Sequence, residues 1–217
     1  MCNPASFVLT ENEAYWSKMS DGHSDIIEEH KLREGRAGKI EILACEISPP
    51  KGADDLPDYR LPLDKWLYRV DDTYPIPSWY NAERDEARAR MALPMWVAEK
   101  IVLAPVAEVK AGFKVAAYAN IGLLNGGTVQ SVLSGGTVRR VENGGTVQRV
   151  ENGGTVQRVW NGGTVISFSA SVTAAVRLVM TGVGSILVDR STEKPVCYVG
   201  PQKPERKPKS SKKKGVK

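Results

Sequence analysis

Residues 126–165 carry Gly-Gly-Thr-Val five times at a spacing of nine, in copies that begin at Gly126, Gly135, Gly144, Gly153 and Gly162. Each copy has a second apolar residue three positions after its valine: Val132, Val141, Val150, Val159 and Phe168. Self-similarity at so short a fixed period restricts this stretch to architectures that stack one unit on the next. In an antiparallel meander the Asn-Gly pairs would make hairpin turns. The three-residue spacing of Val147 and Val150 opposes that, because in one straight strand the two side chains would point to opposite faces. A coil that bends between them lets both point inward.

Length sets the size of that coil. Nine residues at about 3.3 Å each give roughly 30 Å of path, and crossing twice between sheets about 10 Å apart would consume most of it. Two repeats, 18 residues, give a coil with two usable faces, so the sequence predicts a parallel β-solenoid with two nonapeptides per coil. The degenerate flanks "KVAAYANIGLL" and "ISFSASVTAAVRLVMTGVGSILVD" are expected to supply further coils or caps.

A repeat of this kind builds columns. Arg140 should stack over Arg158, Arg149 should lie on the opposite face, and Glu142 and Glu151 stand two residues along from Arg140 and Arg149. Asn125, Asn143, Asn152 and Asn161 are placed for an asparagine ladder at the turns. Two readings of the arginines stay open: a solvated surface neutralised by the glutamates, or a basic stripe for an anionic surface. Trp160 stands alone in its column, so serial base stacking is poorly supported. The repeats hold no Asp, and the calcium-binding nonapeptide roll needs one in each turn, so no cofactor or metal is expected.

Ahead of the repeats the pattern is mixed. "FVLT" and "AYWS" around "ENE" predict a hairpin near residues 7–17. "DGHSDIIEEHKLREG" predicts a helix capped by Ser24 and ended by Gly35, with Ile26, Ile27 and Leu32 buried. "KIEILACEI" and "KWLYRV" predict strands. A helix is expected from about residue 82, broken or kinked at Pro94. Trp16, Trp66, Trp79 and Trp96 are assigned to the core.

Charge divides the chain in the same places. Residues 1–120 hold 15 Lys+Arg against 20 Asp+Glu, residues 121–190 hold 6 against 3, and residues 191–217 hold 9 against 2. The net charge of +5 therefore belongs mainly to the tail, "KPERKPKSSKKKGVK", which is expected to be disordered. Lys207, Lys209, Lys212, Lys213 and Lys214 there would bind nucleic acid in a salt-dependent way. No run of about 18 apolar residues predicts a membrane span, and "MCNPASFVLTENE" does not read as a signal peptide, so a soluble, intracellular protein is expected. Cys2, Cys45 and Cys197, odd in number and far apart, fit a reducing compartment.

Three sites carry an enzymatic alternative. Cys2, exposed by removal of Met1, would be an amino-terminal nucleophile, and Asp71 and Asp72 form a carboxylate pair at the end of a strand; either would make a hydrolase. Capping is the ordinary role of such an Asp-Asp pair. His23 and His30, seven apart, would share a helix face, an arrangement more often incidental than metal-binding.

"MCNPASFVLT", "GHSDIIEEHKL", "KWLYRVDD" and "PSWYNAE", covering about the first 90 residues, resemble an uncharacterised group of bacteriophage and prophage proteins in which a similar N-terminal part precedes short tandem repeats. The resemblance implies a phage-encoded protein and brings no activity with it. "NGGTVQRV" is also similar to the repeats of autotransporter passenger β-helices, in architecture alone.

The expectation is thus an α+β domain over residues 1–112, a β-solenoid over 113–190 and a disordered basic tail over 191–217. Its function would be that of a non-enzymatic binding or scaffold protein acting on a host or phage protein in the host cytoplasm. Candidate contact residues are Arg140, Arg149, Arg158, Trp160 and the five tail lysines, with homo-oligomerisation through the solenoid ends as a further expectation.

Overall fold

The structure is a computed structural model that describes residues 4–32, 41–52, 55–151, 153–166, 179–180, 186–189 and 196–200. Ala5–Leu9 (β1) and Ala14–Tyr15 (β2) form the expected hairpin, with Thr10 N–H donating to the Glu13 carbonyl at 2.9 Å. The first helix, His23–Glu29 (α1), is shorter than expected: Gly22 takes the N-cap place assigned to Ser24, and Lys31 at φ 54° turns the chain out of the helix. Gly35 lies outside the described residues. Leu43–Ser48 (β3) and Leu67–Val70 (β4) complete an antiparallel sheet ordered β2-β1-β3-β4.

Both faces of this sheet are covered, which explains the near-continuous apolar run in β1. Ala5, Phe7 and Leu9 pair with Ile47, Cys45 and Leu43 and face one core, while Val8 turns to Ile26, Ile27 and Leu32 on the α1 side. The second helix, Ala82–Lys100 (α2), begins at Asn81, whose side chain accepts from Arg84 N–H at 2.9 Å. Its buried stripe is Asp85, Ala89, Leu93, Trp96 and Lys100, at helical spacing. Pro94 does not break it, contrary to expectation. Pro94 sits on the exposed side, where water can replace the N–H that its ring removes. Trp66 and Trp96 are buried edge to face at 6.4 Å, whereas Trp16 and Trp79 only border this core.

The solenoid starts as α2 ends. Ile101–Val102 (β5) and Val106–Val109 (β6) form a first coil from residues expected in the α+β domain, so the coils begin twelve residues before position 113. Phe113–Ala117 (β7) and Asn120–Asn125 (β8), from the flank "KVAAYANIGLL", make the second. Thr128–Val132 (β9), Thr137–Val138 (β10) and Val141–Glu142 (β11) make the third. Thr146–Val150 (β12), Thr155–Val156 (β13) and Arg158–Val159 (β14) make the fourth, with Thr164–Val165 (β15) following. Val179–Met180 (β16) and Ile186–Asp189 (β17) continue the two sheets in parallel. Val196–Val199 (β18), assigned to the tail by sequence, instead pairs antiparallel with β17. The disorder expected for the rest of the tail falls on residues outside those described.

Register demonstrates the two-repeat coil. Thr128 pairs with Thr146 and Thr146 with Thr164 on one sheet, while Thr137 pairs with Thr155 and Val141 with Val159 on the other, each step being 18 residues. The β9–β12 ladder pairs Thr128, Val129, Ser131 and Val132 with Thr146, Val147, Arg149 and Val150, and Gln130 and Gln148 between them are left out. The chain bends at those glutamines. Every described repeat valine, Val129 through Val165, is fully buried in one core.

The first sheet (β5, β7, β9, β12, β15, β17, β18) also carries the α+β unit on its outer face. Ile101, Phe113, Val115, Ala116, Tyr118 and Leu133 share a core with Trp66, Leu93 and Trp96. Tyr59 N–H donates to the Tyr118 hydroxyl at 3.1 Å, and Arg60 lies 4.7 Å over the Tyr118 ring.

Candidate binding surface

With its first sheet covered by the α+β unit, the solenoid keeps one broad face uncovered among the described residues, the outer face of the second sheet (β6, β8, β10, β11, β13, β14, β16). Two columns define it. Val141 pairs with Val159, so Arg140, just before β11, and Arg158, in β14, stand side by side on neighbouring segments about 4.8 Å apart. Asn125 pairs with Glu142, and Trp160 N–H donates to the Val141 carbonyl at 2.8 Å, which sets Trp160 beside Glu142. Arg139, Arg158 and Trp160 are exposed, and Arg140 is half-buried. Among the described residues Arg139, Arg140 and Arg158 have no ion-pair partner. The expected pairing of Arg140 with Glu142 is not formed.

Arg149 is on the opposite sheet, as its half-coil offset requires, but its surroundings differ from those of the other two. It pairs with Glu151 at 3.5 Å, and both line a small gap with Leu56, Pro57 and Tyr59 of the α+β unit. Arg149 is therefore part of the junction between the two units, away from Arg140 and Arg158. The asparagine ladder forms in one column: Asn143 Nδ2 donates to Asn125 Oδ1 and Asn125 Nδ2 to Glu108 Oε1, both at 2.9 Å. Asn161 meets that column through its backbone carbonyl, which accepts from Asn143 N–H at 3.0 Å. Asn152 and the five tail lysines lie outside the described residues. Arg139 and Glu108 were missed by sequence reading; Arg139 was visible as the one arginine standing where three of the other copies have Gln.

The residues raised for catalysis are occupied otherwise or lie outside the described residues. Asp71 Oδ1 accepts from Thr73 N–H at 2.9 Å and Asp71 Oδ2 lies 2.9 Å from His23 Nδ1. The Thr73 bonds, with help from His23, hold the Asp71 carboxyl below its ordinary range against the effect of burial. His23 Nε2 is 3.1 Å from the Cys45 carbonyl, so neither ring nitrogen is left for a nucleophile or a metal. His30 follows α1 and bonds to the Trp16 carbonyl, so the two histidines do not share a face. Asp72 is exposed and 3.8 Å from Arg69. Burial pushes the Cys45 thiol up to about 12, which leaves it protonated and unreactive at neutral pH. Cys2 lies outside the described residues.

Among the described residues, no helix is long and apolar enough to cross a membrane. Together these features define a class: a short parallel β-solenoid with an α+β unit covering one sheet and a cationic face on the other. Compared with protein-family models, curated proteins and solved structures, the chain matches none.

Proposed function

We propose that this chain is a non-enzymatic binding or scaffold protein whose contact face is the outer face of the second sheet. The observation that carries this reading is the pair Arg140 and Arg158, set side by side on a rigid ladder without ion-pair partners and bordered by Arg139 and Trp160. Arginine and tryptophan are the residue types that contribute most at protein interfaces, and mounting them on paired strands lowers the ordering cost of binding. The matching partner is an acidic protein surface with carboxylates spaced to meet adjacent strands. Resemblance of the first 90 residues to phage and prophage proteins supports phage origin, and with it the binding and blocking of a host component in the host cytoplasm.

Nucleic acid is the second reading, supported by the excess of 9 Lys+Arg over 2 Asp+Glu in residues 191–217. The two separate in a pull-down from phage-infected host lysate, run with and without nuclease, on the full chain and on Arg140→Glu/Arg158→Glu. A protein captured by the parent chain, unaffected by nuclease and lost in the double variant, is the expected result. Capture that nuclease abolishes and that depends on residues 203–217 would favour the tail, and capture indifferent to both changes would overturn the assigned face.

A further inference from the structure

We infer that the N-terminal end of the solenoid seats a second copy of this chain, end to end across a two-fold axis. At this end, among the described residues, β5 pairs only with β7 and β6 only with β8, so each leaves a row of backbone donors and acceptors without strand partners there. Apolar side chains also reach the surface here, although Val102 and Val109 are buried. Val106 is 37% exposed, although its column partner Ile121 is fully buried, and Leu103 is 49% exposed. Residues 103–107, Leu-Ala-Pro-Val-Ala, are all exposed, and with Val97 and Ala98 of α2 several of them line a cleft of about 460 Å³. Met95 and Met91 continue the exposed apolar surface along α2.

The occupant follows from shape and charge. An exposed apolar segment beside two free strand edges is matched by another such segment, and a copy of this chain supplies one. The opposite end differs among the described residues, because there β18 lies antiparallel on β17 and breaks the parallel stack. Like end therefore meets like end, giving a closed dimer and no filament. The rim carries two acid–base pairs, Glu99 with Lys114 at 2.9 Å and Glu108 with Lys110 at 3.8 Å. Two copies thus meet without net charge, each with both signs to offer the other, whereas a nucleic acid or a strongly acidic partner would find no cation excess. Pro105, lacking an N–H, sits just before β6 and limits extension of the sheet edge beyond this contact.

The test is sedimentation velocity on the full chain over about a hundred-fold range of concentration, with Leu103→Glu/Val106→Asp as the variant. The expected result is a reversible monomer–dimer shift that the double variant weakens by at least about tenfold, with an unchanged thermal melt at concentrations where the parent is monomeric, because both side chains are already exposed. A monomer at every concentration would overturn the inference, as would a dimer that the variant leaves intact or an open-ended series of larger species. Should the variant melt early, Leu103→Lys alone gives the same readout.

Discussion

Gly144 and Gly145 are neighbours in the chain and are glycine for different reasons. Gly144 has φ +81° and follows Asn143 at φ +52°, and Gly145 N–H donates to the Glu142 carbonyl, so the pair forms a turn with two left-handed central residues. A Cβ on Gly144 would meet nothing, whereas one on Gly145 would stand 2.5 Å from the Leu124 carbonyl oxygen of the preceding coil. The first position needs a backbone conformation and the second needs space. Gly144→Ala should therefore cost roughly 1 kcal/mol, and Gly145→Ala roughly 3 kcal/mol, because backbone and not a flexible side chain must give way. Urea unfolding midpoints of the two variants provide the measurement, and a larger loss for Gly144→Ala would contradict this division of roles. The valines are legible in sequence for a related reason. Val147 and Val150 are three apart, and the bend at Gln148 is the one way to bury both, as the gap in the strand ladder records.

At the scale of elements, α2 joins the α+β sheet to the first coil, and its charges do much of the joining. Asp85 is fully buried yet bonded by Arg84 Nε at 2.8 Å, Arg88 Nη1 at 3.1 Å and Asn81 N–H at 2.8 Å. Arg88 also donates to the carbonyls of Thr10, Glu11 and Glu13, so the same cluster clamps the β1–β2 hairpin. Burial alone would raise the Asp85 carboxyl; the bonds from Arg84 and Asn81 and the Arg88 charge outweigh it and hold it below its ordinary range. Unfolding then takes up a proton at Asp85 in acid, so this contribution to stability is complete above the ordinary carboxylate range and is lost as pH falls through it. Thermal melts between about pH 7 and about pH 3 should show Asp85→Asn less stable at neutral pH by about 3 kcal/mol, with a shallower loss in acid. Equal acid dependence in parent and variant would contradict it. The helix itself was readable from Asn81 and the residues after it, but its passage through Pro94 was not, since which side of a helix faces water depends on what packs against it. The first coil was hidden as well: "IVLAPVAEV" has the inward pair Val106 and Val109 and none of the Gly-Gly-Thr letters.

At the scale of the molecule, a coil of two repeats decides what each repeat can do. Identical segments nine residues apart face opposite ways, so Arg149 enters the junction with the α+β unit while Arg140 and Arg158 share the open face. The division into two faces could be read from the period. Which face is covered could not, because it depends on contacts such as Tyr59 with Tyr118, 59 positions apart, that no local pattern announces. The two-repeat coil is also the claim on which the others rest, since a different register would scatter the arginines. Spin labels test it directly, in a chain with Cys2 and Cys197 replaced by Ser and Cys45 left buried. Labels at Thr137→Cys and Thr155→Cys, 18 apart on adjacent strands of the open sheet, should show strong exchange broadening at about 5 Å. Labels at Thr137→Cys and Thr146→Cys, nine apart on opposite sheets, should show none. Absence of exchange in the 18-residue pair, or exchange in the nine-residue pair, would contradict the two-repeat coil.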